Sequence, residues 1–314
     1  MGQTLPTIIE EPERSDGSRS TGSSCYPPVG MATTNTQARA VRITRRPGPI
    51  GLVREGLDDI WSRRRLTRYL VQADLAKHGS DTLLGNVWWV LDPLLQMAVY
   101  VILVQVIFRT SKPDYPLFVF AAILPWKWFS ASLNDAITSV TSRERIIKQV
   151  NFPKIVLPVA STVSGIANFA FGLIPLFALE ILFYRDRLSA FVLLMPAIAV
   201  VQFVFTLACT ILVSAVNVFF RDIANMARHV LRMWFYLSPA LYTIHDLETN
   251  HPLLYTVMGL NPWATLFESY RNIFYGKAPP LWEGLAVLLA VSLVLLGLAT
   301  VFFKRVEPTF AKVL

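Results

Sequence analysis

The 314-residue chain is strongly apolar, with 54% hydrophobic and only 16% charged residues and a net charge of +8. A soluble domain carries about 25% charged residues, so this composition excludes an ordinary soluble globular protein. Several uncharged runs exceed the ~20 residues that a helix needs to cross a bilayer. They lack the alternation of a membrane β-barrel strand, and the sequence therefore predicts an all-α polytopic membrane protein.

The first segments in chain order are a polar tail and an amphipathic helix. Residues 1–48 are rich in Ser, Thr, Pro, Gly and charge, which predicts a disordered cytosolic tail. Residues 49–80 predict an interface helix and connector, because apolar residues recur at three- and four-residue spacing on one face. Leu57, Ile60 and Trp61 are the expected membrane contacts of that face. Packing against a soluble core is the alternative.

Arginines cluster before the first apolar run, between residues 39 and 68. Such a cluster could bind nucleic acid, but beside a membrane span it more commonly holds the segment inside against anionic lipid. We therefore expect membrane lipids, and no nucleic acid, as partners of this region. The two cysteines, Cys25 in the polar tail and Cys209 in an apolar run, predict no structural disulfide.

Residues 81–314 form the predicted transmembrane domain with six transmembrane helices. These spans are expected at 87–108, 117–137, 155–184, 188–220, 224–244 and 282–303. The loops at 138–154 and 219–232 carry more Lys and Arg than the alternate loops. By the positive-inside rule this places both termini in the cytosol. We expect the chain to lie in the cytoplasmic (inner) membrane.

Residues 245–281, before the last span, predict an external re-entrant helix pair. Their apolar patch at 253–260 is too short to cross, and such backbone lies at membrane depth only where protein or a cavity covers it. A wet external loop is the alternative. The polar residues there are His245, Asp246, Glu248 and His251. Their spacing favours a wet loop, so no metal site is predicted.

No nucleotide-binding loop occurs in the sequence. Gly276-Lys277 is followed by Ala278 and lacks the upstream glycine of a phosphate-cradling loop. If the protein pumps, the energy must enter from another chain.

Four short motifs occur in a defined order. They are LGNVWWVLDPLL at 84–95, NFPKIVLP at 151–158, NVFFRDI at 217–223, and NPW at 261–263 followed by Tyr270-Arg271. In order and spacing they resemble the ABC-2 type permeases of polysaccharide export. That family includes O-antigen, teichoic-acid and actinobacterial galactan exporters.

The resemblance implies a homodimer bound to two ABC ATPase subunits, with ATP and Mg on the partner and no cofactor on this chain. It also implies a channel lined by aromatic rings, on which the sugar rings of a lipid-linked polysaccharide stack. The candidate channel residues are Trp88, Trp89, Tyr100, Trp126, Trp128, Trp234, Tyr236 and Tyr242. Anchoring at the membrane interface is the alternative role for each of these rings.

Residues 139–150 predict a short basic amphipathic helix with an apolar edge and a charged rim. That combination suits docking into a groove on an ATPase partner, although the positive-inside rule alone would also populate this loop. The candidate coupling residues are Arg143, Glu144, Arg145, Lys148, Asn151, Phe152, Pro153, Arg221 and Asp222.

Two other functions stay open at this point. One is an ABC-2 permease for another lipid or a drug, and the other is a membrane glycosyl- or acyltransferase. Transferase chemistry needs a general base or paired carboxylates near the membrane surface. The close carboxylate pair in the sequence is Asp58–Asp59, on the predicted interface helix. The sequence therefore favours a transport subunit rather than an enzyme, and does not name the polymer.

Overall fold

The computed structural model describes residues 48–79, 85–107, 109, 112–244 and 252–313. Within these ranges every regular element is helical and no strand occurs, which confirms the all-α class. The predicted tail, up to residue 47, lies outside the described residues, as do His245, Asp246, Glu248 and His251.

Eleven α-helices occur in the described ranges. They are α1 Pro49–Ser62, α2 Arg64–Gly79, α3 Trp88–Val101, α4 Tyr115–Ser139, α5 Glu144–Gln149, α6 Val156–Phe183, α7 Met195–Phe219, α8 Ile223–Leu237, α9 Pro252–Gly259, α10 Pro262–Arg271 and α11 Trp282–Val313. Short 3-10 turns lie at Gly85–Val87, Thr141–Arg143, Arg185–Arg187 and Ala190–Leu194, and π-helical turns at Ile102–Ile107 and Asn272–Gly276.

Five helical segments are long and apolar enough to cross a membrane. They are Trp88–Ile107, Tyr115–Ser139, Val156–Phe183, Ala190–Phe219 and Trp282–Phe310. They correspond to five of the six predicted spans, so the chain is a multi-pass membrane protein. The remaining predicted span, 224–244, contains α8, which has 15 residues and is shorter than a full crossing. It stops before Pro239, where Ser238 takes the extended conformation that a following proline favours.

Helix α4 forms the centre of the bundle, and most of its side chains are buried. It packs against α3, α6, α7, α8 and α10. Two amides of α7 fasten it: Gln202 donates to the Pro125 carbonyl at 2.8 Å and Asn217 to the Ile137 carbonyl at 2.9 Å. Such hydrogen bonds between helices are worth roughly 1 kcal/mol each in a membrane.

Helices α4 and α6 approach most closely at Gly165. A Cβ atom there would lie 2.7 Å from Trp128 Cδ1 and would also overlap Ser132 Oγ. We expect Gly165→Ala to destabilise the protein by about 1–3 kcal/mol, because neither α4 side chain has room to move. Thermal unfolding of the purified protein in detergent measures the change. Gly297→Ala is the control, since nothing lies within 4 Å of its added methyl group; equal melting temperatures of the two variants would contradict the prediction.

The predicted interface helix is interrupted. Arg63 separates α1 from α2 with φ −101° and ψ 20°. The segment predicted as an interface helix and connector over 49–80 therefore contains two helices. Helix α1 packs its Gly56 against α11, where a Cβ atom would lie 2.6 Å from Thr300 Cγ2. Leu57 and Trp61 are exposed, whereas Ile60 packs against a buried cluster of the bundle. The membrane contact of this helix therefore stays a prediction.

Candidate functional site

A cavity of about 300 Å³, called here the α8 cavity, lies between α3, α4 and α8. Its wall combines aromatic rings with amides and two guanidinium groups: Gln96, Tyr100, Trp126, Ser130, Asn134, Arg228, Leu231, Arg232, Phe235 and Tyr236. Three of the candidate channel residues, Tyr100, Trp126 and Tyr236, thus line one cavity.

The aromatic rings that line the α8 cavity pack against one another. Tyr100 stacks on Phe235 with centroids 5.6 Å apart and meets Tyr236 edge-on at 6.5 Å. Gln96 Nε2 donates to the Tyr100 hydroxyl at 3.3 Å. Flat rings beside amides and hydroxyls offer both surfaces that a sugar needs, because its C–H faces stack and its hydroxyls form hydrogen bonds.

Helix α8 carries exposed cations on the face that adjoins this cavity. Arg228 and Arg232 line the cavity, and Arg228 donates to Asn225 Oδ1 at 2.5 Å. An arginine at the centre of a lipid-facing helix costs at least about 2.5 kcal/mol. The arginine face of α8 is therefore expected to meet water or protein rather than lipid.

A second cavity of about 410 Å³, called here the tryptophan cavity, lies between α3, α4 and α6. Trp88, Trp89 and Trp128 line it. Trp128 stacks on Phe169 at 5.0 Å, and Trp89 meets Phe171 edge-on at 4.9 Å. Trp126 and Trp128 line different cavities because residues two apart on a helix point to different faces.

Trp234 and Tyr242 line neither of these two cavities. Trp234 meets Trp126 edge-on at 6.1 Å and donates from Nε1 to Asn261 Oδ1 at 3.2 Å. The Tyr242 hydroxyl donates to the Leu237 carbonyl at 3.2 Å. Trp234 thus joins α8 to Trp126 and Asn261, and Tyr242 joins the segment after α8 back to its last residue. The candidate channel residues therefore do not line one common cavity.

The coupling region differs in shape from the predicted helix over 139–150. Helix α4 ends at Ser139, a 3-10 turn follows, and α5 has only six residues. Arg143 pairs with Asp74 of α2 at 2.9 Å, and Lys148 with Glu144 at 2.6 Å. The hydrogen bond from Lys148, with the nearby positive charges, lowers the pKa of the Glu144 carboxyl. We call the end of the bundle that carries the Arg143–Asp74 pair the inner end.

Two distant segments of the predicted coupling set meet at the inner end. Glu144 and Arg221 line one cavity of about 300 Å³, beside Asn217. The neighbouring residues of these two segments include Arg145, Lys148, Asn151 and Asp222, which are exposed, and Phe152 and Pro153, which are half-buried. Of the predicted apolar edge, Ile147 is buried, and Ile146 and Val150 are exposed. These side chains together form the surface that we call the inner surface.

Two cations with nearly covered side chains, Lys304 and Arg271, connect separate parts of the bundle. Arg271 belongs to one of the four motifs, but the sequence predicted no structural role for either residue. The Lys304 ammonium contacts Glu55 and Asp59 of α1 and Glu307 of α11, at 3.0, 2.6 and 3.0 Å. Asp59 is thereby occupied, which removes half of the carboxylate pair considered for catalysis. The sequence signal was the i,i+4 spacing of Glu55 and Asp59 on one face of α1.

The second buried cation is Arg271, at the end of α10. It donates to the carbonyls of Pro239, Tyr242 and Phe118 at 2.7, 3.2 and 3.3 Å, and also to that of Ala240. No group of three or more His, Cys, Asp or Glu that could hold a metal ion occurs among the described residues.

The five apolar helices, with aromatic cavities between them, define the class of multi-pass α-helical membrane proteins. Residues 65–275 match the family described as ABC-2 type transporter, and the chain belongs to that family. It is 35% identical over 263 residues to the O-antigen export system permease protein RfbA of Myxococcus xanthus, covering 84% of this chain and 99% of that protein. Two proteins of the same description from Klebsiella pneumoniae are 26% identical over 246 residues, covering 78% of this chain and 93% of theirs.

Proposed function

We propose that this chain is the permease subunit of an ABC exporter for a lipid-linked cell-surface polysaccharide. The substrate would be an O-antigen, a teichoic acid or a cell-wall galactan, moved across the cytoplasmic membrane. The observation that carries the proposal is the wall of the α8 cavity, where aromatic rings, amides and exposed arginines lie among membrane-spanning helices. Full-length similarity to O-antigen export permeases supports the substrate class.

We propose six crossings, with α8 as the fifth. Near the end of α7, Asn217 donates a hydrogen bond to the Ile137 carbonyl near the end of α4. Arg221, just after α7, lines the same cavity as Glu144. Helix α7 therefore ends at the inner end. Helix α11 also ends there, since Lys304 contacts Asp59 of α1, which adjoins α2. Helix α11 must then begin at the outer end, and the chain between α7 and α11 must cross once. Helices α9 and α10 form the re-entrant pair in this arrangement, and both termini lie in the cytosol.

The proposed assembly is a homodimer, and the arginines of α8 support it. One copy leaves Arg228 and Arg232 uncovered on the outside of its bundle, where lipid is an unfavourable neighbour. Two copies facing each other across α3 and α8 would enclose these side chains around a wet passage. The sugar chain would thread this passage, and its lipid tail would enter from the membrane beside α1 and α3.

The inner surface is the proposed docking site for two ABC ATPase subunits, which would bind ATP and Mg. Exposed Ile146 and Val150 lie among exposed charged side chains. Interfaces between proteins commonly have an apolar centre and a polar rim. Closure of the ATPase pair would push α5. It would also push the short loop at Arg221, which connects α7 to α8, and so move these two helices.

Transport through the α8 cavity is tested by removing one ring. We expect Tyr236→Ala to slow export of lipid-linked glycan roughly fivefold, because a stacking surface worth about 1 kcal/mol is lost. Proteoliposomes that contain the permease, its ATPase partner and the glycan measure export and ATP hydrolysis together. Phe183→Ala, at another exposed ring, is the control. Export at the normal rate in the Tyr236 variant would count against the proposal.

Coupling is tested at Arg145. We expect Arg145→Glu to reduce export at least fivefold while the ATPase partner still hydrolyses ATP, because a reversed rim charge disturbs docking rather than the nucleotide site. The ratio of glycan exported to ATP hydrolysed is the measured quantity. Arg185→Glu reverses an exposed charge at the other end of α6 and should leave the ratio unchanged. A normal ratio for Arg145→Glu would remove the inner surface from the proposal.

A further inference from the structure

The tryptophan cavity is separate from the proposed passage. Helix α4 presents Leu124, Lys127 and Trp128 to it, and a neighbouring face to the α8 cavity. Its volume of about 410 Å³ falls within the range of small-molecule sites. Its wall is mostly apolar, and α3, α4 and α6 all contribute to it.

The ion pair between Lys127 and Asp92 forms part of this mostly apolar wall. Lys127 of α4 donates to a carboxylate oxygen of Asp92 of α3, and both residues belong to membrane-spanning segments. The Asp92 side chain is 64% exposed and that of Lys127 28% exposed. A carboxylate accepts up to about four hydrogen bonds and an ammonium donates three, so the pair keeps capacity for further partners on the cavity side.

Asp92 lies near the inner end of α3, because the turn before α3 adjoins α2. The long Lys127 side chain reaches Asp92 from the middle of α4. Asp92 is four residues after Trp88, the first residue of α3, which is about 6 Å along a helix axis. Trp88 itself is 43% exposed, and exposed tryptophan rings favour the level of the lipid headgroups. A lipid of the inner leaflet can therefore bring its headgroup to Lys127 and Asp92 and lay an acyl chain against Leu124 of α4 and Gly172 of α6, which line the cavity on its outward side.

Charge complementarity selects the headgroup. Lys127 suits a phosphate, and Asp92 beside it suits a primary ammonium that donates hydrogen bonds. A phosphate without an ammonium, as in phosphatidylglycerol or a polyprenyl phosphate, would meet the Asp92 carboxylate unfavourably. A quaternary ammonium carries no hydrogen-bond donor. We infer that the tryptophan cavity binds one phosphatidylethanolamine molecule of the inner leaflet.

The inference is tested on the full chain purified in detergent, titrated with single lipids and observed by native mass spectrometry. Phosphatidylethanolamine is expected to bind at least fivefold more tightly than phosphatidylcholine, phosphatidylglycerol or polyprenyl phosphate. Equal affinity for phosphatidylethanolamine and phosphatidylglycerol, or tighter binding of polyprenyl phosphate, would overturn the inference. This ranking does not depend on export activity, so it can fail while the proposed function stands.

Variants locate the site. Asp92→Asn and Lys127→Met are each expected to reduce the preference for phosphatidylethanolamine at least fivefold, whereas Glu283→Gln, an exposed carboxylate at the start of α11, should not change it. The double variant Asp92→Lys with Lys127→Asp keeps an ion pair between α3 and α4, and is expected to keep the preference within about threefold of the original chain. Unaltered preference in both single variants would show that the lipid binds elsewhere.

Discussion

Replacing Arg271 with Met is expected to destabilise the protein by about 4 kcal/mol and to abolish export. The guanidinium is buried and donates to four backbone carbonyls, among them those of Pro239 and Tyr242 after α8 and of Phe118 in α4. It also lies over the Phe118 ring at 3.7 Å. Each buried carbonyl that loses its donor costs roughly 1–3 kcal/mol, and the apolar Met side chain offers no replacement.

The measurement is unfolding of the purified protein in detergent, compared with Arg185→Met, an exposed arginine whose loss should stay within about 0.5 kcal/mol. Arg271→Lys tests the geometry. A lysine keeps the charge but has three donors from one atom, so it is expected to recover less than half of the lost stability. If Arg271→Met melts like Arg185→Met, the guanidinium does not hold this segment.

The helical crossings could be predicted because their signal is local. Apolar runs of sufficient length identified five of the spans that the structure contains. Helix α8 is different: Pro239 ends it early, and its arginines interrupt the apolar run. Its role as a crossing rests on where α7 and α11 end, and that information is carried by contacts between helices rather than by the segment itself.

The break between α1 and α2 could not be predicted from the sequence. No glycine or proline occurs at residues 61–65, and apolar residues resume at Leu66 after the polar run at 62–65. A polar run of this length also occurs on the exposed face of an unbroken helix. The direction of α1 is set by Gly56 against Thr300, a contact between distant parts of the chain. The candidate channel residues show the same limit, because residue type identified the rings but only the fold divided them between two cavities.

Lys304→Met is expected to destabilise the attachment of α1 by about 3 kcal/mol, which is the usual cost of removing one partner from a buried ion pair. The Lys304 side chain is 7% exposed and contacts Glu55, Asp59 and Glu307. Glu307 also accepts a hydrogen bond from the Lys154 backbone N–H at 2.6 Å. One ammonium thus links α1, α11 and the segment that leads from the inner surface into α6.

Hydrogen exchange of the α1 backbone measures this attachment, and we expect it to rise at least tenfold in Lys304→Met. Arg305→Met is the matched control, because Arg305 is the next residue along α11 and its side chain is exposed. Adding Asp59→Asn and Glu307→Gln to Lys304→Met should restore part of the protection, since the two less exposed carboxylates left without their cation are then neutral, while Glu55 is half-exposed to water. Protection that is unchanged in Lys304→Met would mean that apolar packing of α1 on α11 suffices. Protection that is lost without rescue in the triple variant would assign the role to ammonium hydrogen bonds rather than to charge balance.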